Sequence, residues 1–243
     1  MQEFLSAKWL NLVLISYKVD PTLLIPHLPS GGHLDTYKGD TFVSLVAFQF
    51  RDTRVLNWRI PFHVNFPEIN LRFYGKINGQ RGVIFLKELV PKPAVAIVAK
   101  MAYNEPYYYC DIKDQIHKSA ESIHASYFIK KAGRSYGIRI KAENQLHTPG
   151  EDSLEHFLKE HSRGYGKTRD GETLSYTVSH SVWPVYPILQ FTQDIDYGSL
   201  CGPEWAFLNN QEPFNITFAE GSNVKVYTPV SDVSEAKFLR KLP

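Results

Sequence analysis

The chain has 243 residues, of which 43% are apolar and 21% are charged, and its formal net charge is +2. This length suffices for a substantial core, and the composition excludes an intrinsically disordered chain. The small net charge, with lysines and arginines scattered along the chain, predicts no nucleic-acid partner. No apolar run approaches the roughly 18–20 residues that span a membrane, so we expect no membrane partner.

The cysteines and the first residues of the chain favour a cytoplasmic protein. Cys110 and Cys201 lie far apart and form no CxxC pair, which predicts two free thiols in a reducing compartment. The first 20 residues lack a basic segment followed by a long apolar run. The short apolar run at residues 10–15 is therefore interpreted as a buried strand and not as a signal peptide.

Strand-like segments dominate the sequence. They are residues 9–17, 41–50, 63–75, 82–89, 122–131, 136–143, 173–182, 214–220 and 223–228. Asn78-Gly79, the strongest short hairpin signal, joins the third segment to the fourth. A turn at Gly133 joins the fifth to the sixth, and Asp170-Gly171 precedes the seventh. Strands joined by hairpins predict an antiparallel sheet.

Three short helices are predicted between these strands. Asp20 and Pro21 supply an N-cap and a first-turn proline. Residues 93–103 open with a proline and carry apolar residues at helical spacing. Asp152, with Glu155 three residues later, resembles a capping box. Because no repeat or linker is present, we predict a single strand-dominated α+β domain over the whole chain.

Two weak motifs do not predict a cofactor. Gly166-Lys167-Thr168 resembles the end of a phosphate-binding loop, but His161 stands where that loop requires a glycine. His156 and His161 lie five residues apart on a predicted helix, which places them on different faces. We therefore predict no metal ion and no cofactor.

The stretch NFPEINLRFYG contains the candidate site. Glu68, Asn70 and Arg72 alternate with apolar residues, a period of two that is typical of a strand with one polar face. Phe66 and Tyr74 bracket them on the same face. Acid and base are close enough along the strand for Glu68 to pair with Arg72.

The polar face of this strand has two interpretations. It is the solvent side of an ordinary amphipathic strand, or it faces the inside of a closed barrel. In the second case a buried acid and base persist only when they are paired and hydrogen-bonded.

A resemblance favours the second interpretation. The stretches that carry it are, in chain order, WLNLVLISYKVDPTLLIPHLP, TFVSLVAFQF, FPEINLRFYG with GVIFL, YNEPYYY, GEDSLEHFLKEH and SHSVWP. In this order they resemble the YqjF-like family of uncharacterised bacterial proteins. The resemblance implies the fold of acetoacetate decarboxylases, an antiparallel barrel or cone around a cavity with a few short helices. It also implies that Glu68 matches an active-site glutamate of those enzymes.

The resemblance departs from the decarboxylases at their lysine pair. Those enzymes carry a Pro-Lys-Lys step in which one lysine forms a Schiff base and the other lowers its pKa. Here Pro106 is followed by Tyr107 and Tyr108. Since a phenol cannot form an imine with a ketone, Schiff-base decarboxylation is not predicted.

The first functional hypothesis is a cavity that binds a small molecule. Arg72 would hold a carboxylate or carbonyl group, and Asn70 would orient it. Tyr74, Tyr107 and Tyr108 would complete the wall and donate hydrogen bonds.

Two other hypotheses stay open. An enzyme without covalent catalysis would use Glu68 as acid and base, with His180 as a second candidate and Arg72 steadying an enolate. A structural or interaction protein, including one that forms a homo-oligomer, would instead carry the polar strand face as plain surface.

Overall fold

The computed structural model describes residues 1–97, 106–167 and 171–231, and strands dominate this part of the chain. The strands are β1 (Glu3–Val19), β2 (His33–Leu34), β3 (Thr41–Val55), β4 (Phe66–Ile77), β5 (Gln80–Val90), β6 (Tyr107–Tyr109), β7 (Asp111–Lys118), β8 (Ser122–Lys131), β9 (Arg134–Glu143), β10 (Arg163–Lys167), β11 (Thr173–His180), β12 (Ile188–Asp194), β13 (Asn215–Tyr227) and β14 (Val230–Ser231). Each predicted strand overlaps an observed one.

The helical segments are short. The α-helices are Pro21–Leu24, Leu154–Lys159 and Tyr197–Cys201, the 3-10 helices are Ile25–His27 and Pro203–Asn210, and residues 93–97 are also helical. No helix in the described ranges is long and apolar enough to cross a membrane.

The large sheet closes on itself. Around the ring, β4 pairs with β3, which is followed by β1, β13, β11, β10 and β5, and β5 pairs again with β4. The short strands β2, β14 and β6 attach to β4, β11 and β5. A second sheet has four strands in the order β12, β9, β8, β7. The predicted strand-dominated fold is confirmed.

Two pairings, both at β5, depart from the predicted antiparallel arrangement. This strand pairs in parallel with β10 and with β6. The chain reaches β6 from β5 through residues 91–106, a connection long enough to return to the same end of the sheet, as parallel pairing requires. Hairpin signals cannot predict such pairs, because they report only on strands that a tight turn joins.

Both faces of β4 are covered. On one face Leu71 belongs to a core that includes Ile138 of the four-stranded sheet. On the other, Val46 and Phe66 belong to a second core that includes Phe157 of the helix Leu154–Lys159. Residues 66–75 of β4 are consequently buried without interruption. The polar face of β4 therefore does not face water.

Both tight hairpins were predicted correctly. Ile77 pairs with Gln80 across Asn78 and Gly79, whose φ angles are 50° and 76°. Two positive φ angles in a two-residue loop match the right-handed twist of the flanking strands. The loop between β8 and β9 has the same geometry at residues 132–133.

The helix predictions were partly right. Asp20 caps the first helix by accepting a hydrogen bond from the Thr22 amide at 2.8 Å, as expected. The helix Leu154–Lys159 is capped by Ser153 instead of Asp152, and Glu155 accepts from Asn215 instead of closing a capping box. Residues 93–97 are helical, and the remainder of the predicted helix, residues 98–103, lies outside the described residues.

One strand replaces the two that were predicted at residues 214–220 and 223–228. Strand β13 runs through Gly221, which has φ +90° and lies opposite Leu10 of β1. A Cβ atom on Gly221 would lie 1.9 Å from the carbonyl oxygen of Trp9. The glycine therefore allows the two backbones to approach closely and does not end the strand.

Replacing Gly221 with alanine should destabilise the fold by more than about 3 kcal/mol, because the positive φ and the clash with Trp9 act together. Gly79→Ala is the matched control, since Gly79 also has a positive φ but open space around it. It should cost only roughly 1–2 kcal/mol. Urea denaturation measures both losses. Equal losses would show that the close approach at Gly221 does not constrain the sheet.

Candidate functional site

A cavity of about 330 Å³ lies inside the ring. Side chains of β1, β3, β4, β5, β6, β11 and β13 line it, together with Ile60 and His63 of the loop before β4 and Ala94 and Val95 of the helical segment. Its size falls at the lower end of the range for small-molecule sites, which is roughly 300–1,000 Å³.

The predicted polar face of β4 lies in the wall of this cavity. Glu68, Asn70 and Arg72 all line it, with exposed fractions of 2%, 2% and 7%. Because alternate residues of a strand point to opposite faces, Leu71 and its neighbours pack outward while these three side chains point inward. The structure therefore brings together the three residues that the sequence singled out.

Glu68 is held by two hydrogen bonds. The Asn70 Nδ2 group donates to Glu68 Oε1 at 3.1 Å, and the Tyr107 hydroxyl donates to Glu68 Oε2 at 3.1 Å. Burial raises the pKa of Glu68 to about 7, although both hydrogen bonds and the charge of Arg72 oppose the rise. Near neutral pH the Glu68 carboxyl group is thus present in both protonation states.

Tyr107 reaches Glu68 because β6 pairs in parallel with β5, which sets Tyr107 beside Glu88. Its hydroxyl group is buried although the whole residue is only half-buried. Burial, followed by the charges of Glu68 and Glu88, raises the pKa of Tyr107 well above its usual value. The phenol therefore keeps its proton and acts as a donor to Glu68.

Arg72 does not form the ion pair with Glu68 that its position on the strand suggested. Its Nη2 group donates instead to the carbonyl oxygen of Leu158 at 3.2 Å. Arg81 donates in the same way to the Phe157 carbonyl at 2.9 Å. Both carbonyls belong to the last turn of the helix Leu154–Lys159, where a positive charge is favoured. Arg72 thus influences Glu68 by its charge and not by direct contact.

Two polar atoms on this face of β4 have no hydrogen-bond partner among the residues that the structure describes. They are Asn70 Oδ1, an acceptor, and Arg72 Nε, a donor, and both are buried. Leaving such a group unpaired costs about 1–3 kcal/mol, so an unpaired buried group in a cavity wall calls for an external partner.

Glu88 was not predicted and lines the cavity with an exposed fraction of 2%. Continuing the pairing from the Asn78-Gly79 turn would set Lys87, not Glu88, opposite Asn70. A β-bulge at Leu86 shifts the register by one residue, so that Asn70 pairs with Glu88. The shift turns Glu88 into the cavity, and no feature of the sequence signals it.

Tyr74 lies on the same face as the site but outside the cavity wall. Its hydroxyl is 2.6 Å from Ser44 Oγ, and its ring stacks on His161 at 5.0 Å. The Arg72 guanidinium lies 5.9 Å from the ring centroid. Tyr74 therefore lies beside Arg72 and is not among the residues that line the described cavity.

Tyr108 and His180 also lie away from the cavity wall. Tyr108 is 44% exposed, with Lys87 Nζ 3.4 Å from its ring, because it points to the opposite side of β6 from Tyr107. The His180 ring stacks on Trp183 at 4.2 Å, and its two nitrogens lie 2.8 and 3.1 Å from carbonyl oxygens. His180 is thus held by Trp183 and by two backbone carbonyls, away from the described cavity wall.

The described residues offer no group of three or more histidine, cysteine, aspartate or glutamate side chains placed to hold a metal ion. Cys110 and Cys201 are buried free thiols, as the sequence predicts. None of the described residues that line the cavity is a lysine, while Lys100 and residues 103–105 lie outside the described ranges.

The chain is similar to proteins of known sequence and structure. The model of the DUF2071 family, described as an uncharacterized conserved protein, matches residues 6–222. The uncharacterized protein YqjF of Bacillus subtilis (strain 168) is 28% identical over 166 residues, which are 67% of each chain. The acetoacetate decarboxylase of Legionella pneumophila superposes with a TM-score of 0.61 at 10% identity, over 95% of this chain and 86% of the enzyme.

A second solved structure is the enduracididine biosynthesis enzyme MppR in complex with pyruvate. It has a TM-score of 0.63 at 12% identity and covers 95% of this chain and 91% of its own. Identities this low show a shared fold, and the chain accordingly has an acetoacetate decarboxylase-like fold.

The raised pKa of Glu68 predicts a pH-dependent loss of stability. Between about pH 4.5, where an unfolded glutamate titrates, and about pH 7, the unfolded chain releases a proton that the folded protein retains. The free energy of unfolding therefore falls as pH rises through this window. Glu68→Gln should remove the fall, a relative gain of up to about 3 kcal/mol at pH 7.5.

Urea denaturation at pH 4.5, 6 and 7.5 measures this difference. Glu121→Gln, at an exposed position, is the control and should keep the pH dependence of the wild type. If the free energies of unfolding of Glu68→Gln and the wild type changed equally between pH 4.5 and 7.5, Glu68 would not titrate in that range.

Proposed function

The chain belongs to the DUF2071 family, and on that premise we propose that it binds a small molecule carrying a carboxylate or carbonyl group inside its ring of strands. One observation carries the proposal. Glu68, Asn70 and Arg72 lie side by side in the wall of a cavity, and two of their buried polar atoms have no partner within the described part of the chain.

The unpartnered atoms define what the ligand offers. Arg72 Nε is a charged donor and suits a carboxylate or carbonyl oxygen. Asn70 Oδ1 is an acceptor and suits a hydroxyl or N–H group next to that oxygen. A neutral Glu68 tolerates an anion beside it, whereas an ionised one repels it. Binding of a carboxylate therefore weakens as pH rises through about 7.

The fold gives independent support. MppR, which shares this fold, has been solved with pyruvate bound. Pyruvate carries both a carboxylate and a ketone group. A protein with this fold can therefore bind a small acid of the class proposed here.

The raised pKa of Glu68 favours a second candidate function, proton transfer without a covalent intermediate. The Glu68 carboxylate would take a proton from a carbon next to the ligand's carbonyl group. The electron pair of that C–H bond would move onto the carbonyl oxygen, where the positive charge of Arg72 stabilises the enolate. Return of the proton from Glu68 to the carbon or the oxygen completes the step.

The main argument for the hypothesis of a structural or interaction protein no longer applies. That hypothesis required the polar face of β4 to lie on the surface. Glu68 and Arg72 are instead buried in the cavity wall.

A panel of small carboxylates and ketones should raise the melting temperature of the wild type. A ligand at a hundred times its Kd stabilises the folded state by about 2.7 kcal/mol. The shift should be larger at pH 6 than at pH 8 for carboxylates, because Glu68 is then neutral, and Arg72→Gln should abolish it.

Arg81→Gln is the matched control for this experiment. Arg81 also donates to a carbonyl at the end of the helix Leu154–Lys159 but does not line the cavity. It should lower the melting temperature of the free protein and keep the ligand-induced shift. Loss of the shift in both variants would show that helix docking, and not contact with Arg72, controls binding.

Proton transfer makes a separate prediction for any ketone that binds. In D₂O the wild type should exchange the hydrogens next to the carbonyl group, as followed by NMR. Glu68→Gln should slow the exchange by at least about a hundredfold while binding persists, since general-base catalysis contributes roughly that much. Undiminished exchange in Glu68→Gln would exclude Glu68 as the base.

A further inference from the structure

Most of the cavity wall takes no part in the proposed recognition of a polar group. Four aromatic side chains, which we call the aromatic wall, form one side of the cavity: Trp9, Phe48, Phe50 and Phe66. Phe50 and Phe66 stack with their ring centroids 4.8 Å apart, and Trp9 meets Phe50 edge-on at 5.6 Å. They come from β1, β3 and the start of β4.

The polar residues occupy another side. Glu68, Asn70 and Arg72 lie further along β4, and Glu88 and Tyr107 follow on β5 and β6. Register places Phe50 opposite Phe66 and Phe48 opposite Glu68. The cavity thus changes from aromatic to polar along β4, which suits a ligand with a polar head and an apolar body.

The size of the cavity sets the size of the ligand. An apolar cavity of roughly 150 Å³ holds one benzene molecule. The volume here is about 330 Å³, so it accommodates a molecule on the order of 10–15 non-hydrogen atoms. A small acid alone would leave the space beside the aromatic wall unfilled, and water occupies such apolar space poorly.

The mouth of the cavity is apolar as well. Ile60 and Ala94 line it and are exposed. Trp58 and Phe62, in the same loop as Ile60, are 75% and 88% exposed. An apolar molecule entering here meets apolar surface before it reaches the polar side.

From these observations we propose that the ligand is a carboxylic acid or ketone with a ring-bearing apolar body about the size of a bicyclic aromatic, with the polar head at Arg72 and the rings against the aromatic wall. Offset or edge-on contacts between rings add attraction beyond the burial of apolar area. The inference rests on the proposed function, since it takes the head group from there and adds the body.

A matched series of acids tests the inference by titration calorimetry at pH 6. Acetate, benzoate and 2-naphthoate carry the same head on bodies of increasing size, and decanoate matches 2-naphthoate closely in atom count without rings. We expect 2-naphthoate to bind at least about tenfold tighter than benzoate, and benzoate tighter than acetate, because each added ring buries apolar area. Decanoate should bind more weakly than 2-naphthoate.

Two tryptophan variants show where the ring body lies. Ala94→Trp adds a large side chain at an exposed position in the mouth and should weaken 2-naphthoate binding at least about tenfold. Ile97→Trp, three residues along the same helical segment, is exposed and does not line the cavity, so it should leave the Kd unchanged. Equal Kd values for the two variants would overturn the placement of the body in this cavity.

The neutral fluorescent probe 1-naphthylamine, which is within the size that the cavity accommodates, separates this inference from the proposed function. The probe has rings and no acid, so it should bind the wild type and Arg72→Gln alike and be excluded by Ala94→Trp. Acetate binding as tightly as 2-naphthoate, with Arg72→Gln abolishing both, would overturn the inference and leave the proposed function standing. Probe binding with no binding of any acid would overturn the acid head and with it the proposed function.

Discussion

The pairing of β4 along both of its edges is the constraint on which the site depends. Because β3 and β5 flank β4, the ring closes and neither face of this strand meets water. A strand that carries an acid, an amide and a base usually has its polar face in water. Here these side chains are buried, so each polar group is either hydrogen-bonded within the protein or left unpaired at a cost in free energy. The raised pKa of Glu68 and the unpartnered atoms of Asn70 and Arg72 all follow from that closure.

The helix Leu154–Lys159 links the site to the rest of the fold. Its last carbonyl groups accept hydrogen bonds from Arg72 and Arg81. Two side chains of the sheet therefore stabilise the end of the helix by hydrogen bonds and by their positive charge. This contact occupies one edge of the Arg72 guanidinium and fixes its orientation. The helix therefore contributes to the site without supplying any side chain to the described cavity wall.

The sequence predicted β4 well because a period of two reports directly on the two faces of a strand. It could not predict that Tyr108 lies outside, since the direction in which β6 starts depends on a parallel pairing with no turn signal. Glu88 was missed because a bulge changes the register without a distinctive residue. Strands β7, β10 and β12 were also missed, being short or alternating too weakly for a pattern to stand out.

The bulge at Leu86 determines that Glu88, and not Lys87, points into the cavity. With continuous pairing, the side chain opposite Asn70 would be that of Lys87, an amine, where Glu88 now places a carboxyl group. Pairing without the bulge, with every residue of β5 retained, would thus turn an amine into the cavity in place of an acid. The chemistry of the interior therefore depends on the register of one strand as well as on which residues that strand carries.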